Sequence, residues 1–257
     1  MSGINEDIYQ IKAINKCQFE VIINHITRET ANILRKIFMS HIPTMRINIA
    51  IWEYNTSLMV DEVILQRITT IPIKTDINSF SLQQNCHCIS SEAYGCAKCG
   101  EWLEIDVTAT KNEQIVRSGD LIPVSNRIEV VNKKIKLVVL RRGDMIKARC
   151  FAKIGFGSEN STYSPITTIT FNEISTNRFR FIIEPKGPDM TIEQIIDAGF
   201  KRLPLYSKLY KNFKISPDIE RLTLSNKSND QSLAQRTIEE EEDDSNALFQ
   251  MRDNEMD

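Results

Sequence analysis

Residues 27–73 read TRETANILRKIFMSHIPTMRINIAIWEYNTSLMVDEVILQRITTIPI, and their pattern decides the fold. Ala31, Leu34, Ile37 and Phe38, with Ile33 beside them, recur at helical spacing. Arg28, Glu29, Arg35 and Lys36 fall on the other sides, so the helix is short and amphipathic. Thr27 or Asn24 can cap its start. His41-Ile42-Pro43 stops it, because the residue before a proline is pushed out of helical angles. From Arg46 to Tyr54 the apolar period changes to two, which predicts a strand. Asn55-Thr56-Ser57 is a turn, Val60 to Leu65 is helix-like again, and Ile71-Pro72-Ile73 closes the segment.

Upstream, Ile8, Tyr9, Ile11, Phe19, Val21, Ile22 and Ile23 alternate loosely, predicting two strands that turn near Lys16-Cys17-Gln18. Downstream of a cysteine cluster the chain is mostly β. Strands are predicted over residues 102–109, 115–117, 135–140, 145–154, 166–171 and 179–183. A polar loop from Gly155 to Pro165 interrupts them. Thr191-Ile-Glu-Gln194 is a capping-box pattern. Ile192, Ile195, Ile196, Gly199, Leu203, Tyr206, Tyr210 and Phe213 then mark one apolar helix face. Pro204 within it is expected to kink or split the helix. Residues 222–257 are rich in Ser, Asn and Gln, and Glu239 to Asp244 are six consecutive acids. That composition predicts a disordered acidic tail.

The 257 residues suit one large domain or two small ones, and an apolar share of 41% supplies a core. A formal charge of -2 argues against a free-standing nucleic-acid binder, which would carry a basic excess. The N-terminus is polar and acidic rather than signal-like, and no apolar run is long enough for a bilayer, so a soluble intracellular protein is expected.

Four of the six cysteines form the run Cys86-His-Cys88 … Cys96-Ala-Lys-Cys99-Gly100. Four soft thiolates in a short loop can close a tetrahedral shell around one Zn2+, with a glycine allowing the tight backbone. A shell with no open position is structural, not catalytic. An iron–sulfur cluster, two disulfides or free thiols are the competing readings, and His87 could replace one ligand. Cys17 and Cys150 are expected to be core-facing. Gly155-Phe156-Gly157-Ser158 lacks the lysine and helix of a phosphate loop. Asp61 and Glu62, adjacent in sequence, do not share a helix face and read as helix-start charges. Three histidines and no nucleophile motif predict no catalytic site.

The order of residues 31–72 resembles the α-like subunits of multisubunit DNA-directed RNA polymerases. Their signature runs A-N-x-L-R-R-I, I-P-T-M, a strand, N-T-S, D-E, H-R, then a proline between hydrophobic residues. Ala31, Asn32, Leu34, Arg35, Lys36, Ile37, Ile42 to Met45, Asn55 to Ser57, Asp61, Glu62, Arg67, Ile71 and Pro72 match it, while Gln66 stands where the family has histidine. Tyr163-Ser164-Pro165 matches a further family step. The C-x-C … C-x-x-C cluster is similar to that of the eukaryotic polymerase II third-largest subunit, with a longer middle spacer from Ile89 to Gly95; the archaeal D subunit is the nearest alternative within the family.

The resemblance implies an α+β chain with a discontinuous α-like dimerisation domain, a sheet plus two amphipathic helices, over residues 1–48 and 174–221. Residues 49–173 would be an inserted, mostly β domain carrying a zinc loop at 86–99. It implies a non-catalytic assembly subunit for transcription in the nucleus. Ala31, Leu34, Ile37, Phe38, Ile192, Ile195, Ile196, Gly199, Leu203 and Tyr206 would pair with the smaller α-like subunit. The second-largest subunit and the small zinc-bearing subunits would be further partners, with no direct nucleic-acid contact. The alternative is an independent zinc-ribbon module, but Lys98 and His87 are the only basic side chains from Cys86 to Cys99.

Overall fold

The structure is a computed structural model that describes residues 8–86, 88 and 94–209, with side chains to residue 204. The elements are β1 (Tyr9–Ala13), β2 (Phe19–Asn24), α1 (Arg28–Ser40), β3 (Thr44–Asn55), α2 (Asp61–Thr69) and β4 (Ile73–Thr75). They continue with β5 (Gly100–Thr108), β6 (Gln114–Arg117), β7 (Ile122–Pro123), β8 (Ile128–Val130) and β9 (Lys136–Leu140). The last are β10 (Met145–Gly155), β11 (Ile166–Ser175), β12 (Arg178–Pro185) and α3 (Ile192–Leu209). The chain forms two compact units, one of residues 1–41, 166–184 and 192–257, the other of residues 42–165 and 185–191. Boundaries at 48/49 and 173/174 would cut β3 and β11 in mid-strand, whereas the division between the units falls at 41/42 and 165/166. Among the described residues no helix is long and apolar enough to cross a membrane.

The first unit is a four-stranded sheet in the order β1-β2-β12-β11, overlaid by α1 and α3. Thr27 caps α1 by accepting from the Thr30 amide at 3.3 Å. The helix closes as the His41 amide donates to the Ile37 carbonyl. Its buried stripe is the predicted one: Ala31, Leu34, Ile37 and Phe38 are fully buried. Phe38 lies edge-on to Phe181 of β12, and Phe171 stacks on the same ring. Gly199 is required because a Cβ there would run into the Phe38 ring. The Tyr9 ring stacks on Phe200, and its hydroxyl donates to Asp197 at 3.2 Å, tying β1 to α3. The helix continues through Pro204 to Leu209 instead of splitting there. Cys17 is exposed in the β1–β2 turn, not core-facing, because the Asn15 side chain accepts from the Cys17 and Gln18 amides and shapes that turn. The acidic tail, Tyr210 and Phe213 lie outside the described residues.

The second unit is centred on an antiparallel sheet in the order β3-β10-β5-β7, with the ribbons β4-β8 and β6-β9. Ile146, Ala148, Cys150, Ala152 and Ile154 of β10 are buried, as their alternation predicts. Asn55 organises the β3–α2 turn: its amide donates to the Met59 carbonyl and to Asp61, and its Oδ1 accepts from Ser57. Asp61 and Glu62 lie in the first turn of α2, where negative charge is favourable. Arg67 donates to the Leu137 carbonyl at 2.8 Å and anchors α2 on β9.

The loop from Gly155 to Pro165 is held by a buried cation. Arg46 is 1% exposed and pairs with Asp189 at 2.7 Å. Its Nε also donates to the Thr162 carbonyl and its Nη1 to the Met45 carbonyl. Lys186 adds bonds to the Ser161 and Thr162 carbonyls.

Candidate metal centre

The site starts from two tight backbone turns. The Cys99 and Gly100 amides both donate to the Cys96 carbonyl at 3.1 Å, and β5 departs directly from that turn. Across from it, the Cys86 amide donates to the Gln83 carbonyl at the end of a single helical turn. These two pieces bring the sulfurs of Cys86, Cys88, Cys96 and Cys99 within 4.8 Å of one another. The Sγ–Sγ distances are 3.5 Å for Cys86–Cys96, 3.6 Å for Cys88–Cys99 and 4.0 Å for Cys96–Cys99.

Those spacings discriminate among the competing readings. A disulfide brings sulfurs to about 2.05 Å. Four sulfurs placed tetrahedrally about 2.3 Å from one zinc ion stand about 3.8 Å apart, which is the spacing here. A cluster of several irons would hold its ligands further apart than this single-ion array. His87 and residues 89–93 lie outside the described residues.

The backbone is arranged for thiolates. The Lys98 amide donates to Cys96 Sγ at 3.4 Å, and the Cys96 amide donates to Cys99 Sγ at 3.2 Å. Led by the Lys98 amide, this environment pushes the Cys96 thiol down from 9.0 to about 7. Hydrogen bonding to Cys86 pushes Cys88 up to about 12, and burial raises Cys99. Four crowded thiols oppose one another's ionisation, so all four become thiolates together only around a cation.

An aromatic floor supports the knuckle. The Trp102 and Phe151 rings lie 4.9 Å apart, and Tyr94 meets Trp102 edge-on. Gly95 has φ +125° and lies against Phe151, so a side chain there is excluded by both conformation and space. Arg127 clamps the turn from β8's side: it donates to the Ala97 carbonyl at 2.7 Å and to Glu101 at 2.6 Å, with its guanidinium over Phe80. Burial alone would raise the Glu101 carboxyl. Hydrogen bonds from Ser125 and Arg127 outweigh it and hold that group below its usual range.

Arg127 lies well outside the cysteine run, so spacing alone does not reveal it. Its replacement by alanine leaves the Glu101 carboxylate buried without its cation. Arg127→Ala is expected to cost about 2 kcal/mol of stability. It should also weaken metal affinity about 10- to 100-fold, read by competition with a chromophoric chelator.

The other residues singled out by sequence fall elsewhere. Ala31, Leu34, Ile37, Phe38, Ile192, Ile195, Ile196, Gly199 and Leu203 come together, but inside the core of their own unit, where the sheet and the facing helix already cover them. Phe200 belongs to the same core, although the periodic pattern did not include it. Tyr206 lies in α3 beyond the described side chains. Tyr163 is buried over Gly155, and its carbonyl accepts from Thr44 at 2.6 Å. Gly155 to Ser158 form no helix-entry loop, since β10 ends there in a turn.

The four-cysteine knuckle lies within the stretch for which relatives are found. Residues 47–170 match the family described as the RNA polymerase Rpb3/RpoA insert domain. Among the chain's curated relatives is DNA-directed RNA polymerase II subunit rpb3 of Dictyostelium discoideum, 34% identical over 58% of this chain and 52% of that protein. Another is DNA-directed RNA polymerase subunit Rpo3 of Pyrobaculum arsenaticum, 29% identical over 62% of this chain and 60% of the relative. A third is DNA-directed RNA polymerases IV and V subunit 3B of Arabidopsis thaliana, 30% identical over 55% and 49%. The chain thus spans about half to three-fifths of the length of these relatives.

Proposed function

We propose that this chain is a non-catalytic structural and assembly subunit of DNA-directed RNA polymerase II, working in the nucleus. The observation that carries this reading is the coincidence, within residues 47–170, of the Rpb3/RpoA insert-domain match and a preformed four-sulfur site. Cys86, Cys88, Cys96 and Cys99 hold one structural Zn2+, which ties a loop with little core of its own to the sheet. The zinc-ribbon alternative is less well supported. Of the cations near the knuckle, Arg127 and Lys153 are engaged within the chain by Glu101 and Gln83, which leaves Lys98 as the basic side chain described in the knuckle itself.

The helix pair α1 and α3 forms the dimerisation layer with the smaller α-like subunit. The residues at 31, 34, 37, 38, 192, 195, 196, 199 and 203 build that layer, and Tyr206 extends it. The second-largest subunit and the small zinc-bearing subunits join this pair, and the chain itself contacts no nucleic acid. Because Leu34 and Ile196 are fully buried, a charge at either would unfold the unit and report nothing about a partner. Ile33, half-exposed on α1 beside Asn32 and Lys36, is the informative position. Ile33→Asp is expected to weaken pairing with the co-expressed smaller subunit by about tenfold or more, with the chain still folded. Unchanged affinity would remove this face of α1 from the interface.

A further inference from the structure

The ribbon β6-β9 carries a basic face that neither the metal centre nor the helix layer uses. In its register Val116 pairs with Val138 and both are buried, so Ile115 and Val139, the next pair, face outward. Val139 is 51% exposed. Past a bulge, Arg117 stands directly opposite Lys136 on that same outward face. The Arg117 guanidinium donates to the Lys134 carbonyl at 3.0 Å, and Lys133 lies against Gly119. Four cations therefore crowd one end of the ribbon, where Asp120 is the nearby acid, its carboxylate accepting from the Arg117 amide. None of the four enters an ion pair among the described residues. Like charges directly opposite in a ladder are unfavourable, so this end lowers its energy when an anion joins it. Towards the other end Lys111, Arg141 and Arg142 are accompanied in sequence by Glu113 and Asp144, and the Asp144 carboxylate accepts from the Arg141 amide.

The outward face thus has a short aliphatic strip running into a net-positive end. Residues 111–142 contain no aromatic side chain on which a base could stack, which disfavours single-stranded nucleic acid. The same chain contains the complementary sequence: six acids, Glu239 to Asp244, followed by Ser-Asn-Ala-Leu-Phe.

We propose that the Arg117–Lys133–Lys134–Lys136 face is a docking site for the acidic segment Glu239–Asp244 of this chain, with Leu248 and Phe249 placed against Ile115 and Val139. The carboxylates meet the crowded cations, and the apolar residues cover the strip.

Zero-length carbodiimide crosslinking of the purified full chain, read by mass spectrometry, tests this directly. Crosslinks from Lys133, Lys134 and Lys136 to Glu239–Asp244 are expected to exceed those from Lys12, Lys16 and Lys74 by about tenfold. They should fall severalfold at about 1 M salt, where screening acts within about 3 Å. Lys134→Glu/Lys136→Glu should abolish the Lys133 link while leaving zinc content unchanged. Mixing isotopically light and heavy chains identifies the origin of the segment: crosslinks within one chain are expected, and crosslinks formed only between two copies would overturn the proposal. Acids crosslinked evenly over all lysines, or a Lys133 link that survives the double charge reversal, would overturn it. So would displacement of the segment by RNA with no loss of RNA binding in the double variant.

Discussion

Replacement of Asp189 by alanine is expected to destabilise the second unit by about 3–5 kcal/mol, because it strands a buried arginine. Arg46 lies in β3 with its side chain 2% exposed and its partner 5% exposed. The Thr162 and Met45 carbonyls still accept from it in the variant, but no negative charge remains beside it. The loss should appear as a lower urea midpoint with little change in slope, since the surface exposed on unfolding is the same. A double replacement, Arg46→Met with Asp189→Leu, should recover most of the stability, because a buried pair is often no better than apolar residues of similar volume. If Asp189→Ala alone is neutral, the pair is solvated in solution and does not fix the Gly155–Pro165 loop.

The second large effect belongs to the thiolates. Cys96→Ser should lower the zinc content from about one ion per chain to a small fraction, since a structural shell needs all four ligands. The metal-free insert should then lose order around residues 81–100, as seen by hydrogen exchange, because binding free energy is folding free energy at such a site. Acidification should do the same to the unaltered chain. The depressed thiol of Cys96 stabilises the fold fully above 9.0, and that contribution fades as pH falls through about 7. Bound metal holds its sulfurs deprotonated to lower pH still, so zinc release measured with an indicator should rise as the solution is taken well below pH 7. Full zinc occupancy in Cys96→Ser would strike Cys96 from the ligand set.

Local pattern carried most of the architecture. The stripe Ala31-Leu34-Ile37-Phe38 placed α1, the alternation from Ile146 to Ile154 placed β10, and the cysteine spacing placed the four-sulfur cluster. What sequence did not show was long-range pairing. Nothing in TMRIN marks Arg46 as a buried partner of Asp189, and nothing near Arg127 marks it as the clamp on Ala97 and Glu101. Such pairs join segments far apart in the chain and have no periodicity to reveal them. The same limit explains the helix stripes. An apolar face predicts burial but not by what, and here the sheet and the facing helix fill that role within the chain itself. Pro204 was expected to kink or split α3, and the helix is not split there.

The most direct test of the assembly reading is the subunit composition of the tagged chain, isolated natively from its own cells and identified by mass spectrometry. The account predicts recovery with two very large polymerase chains, a smaller α-like chain and RNA-synthesising activity. Recovery of the chain alone, as a zinc-bearing monomer or self-dimer, would contradict it.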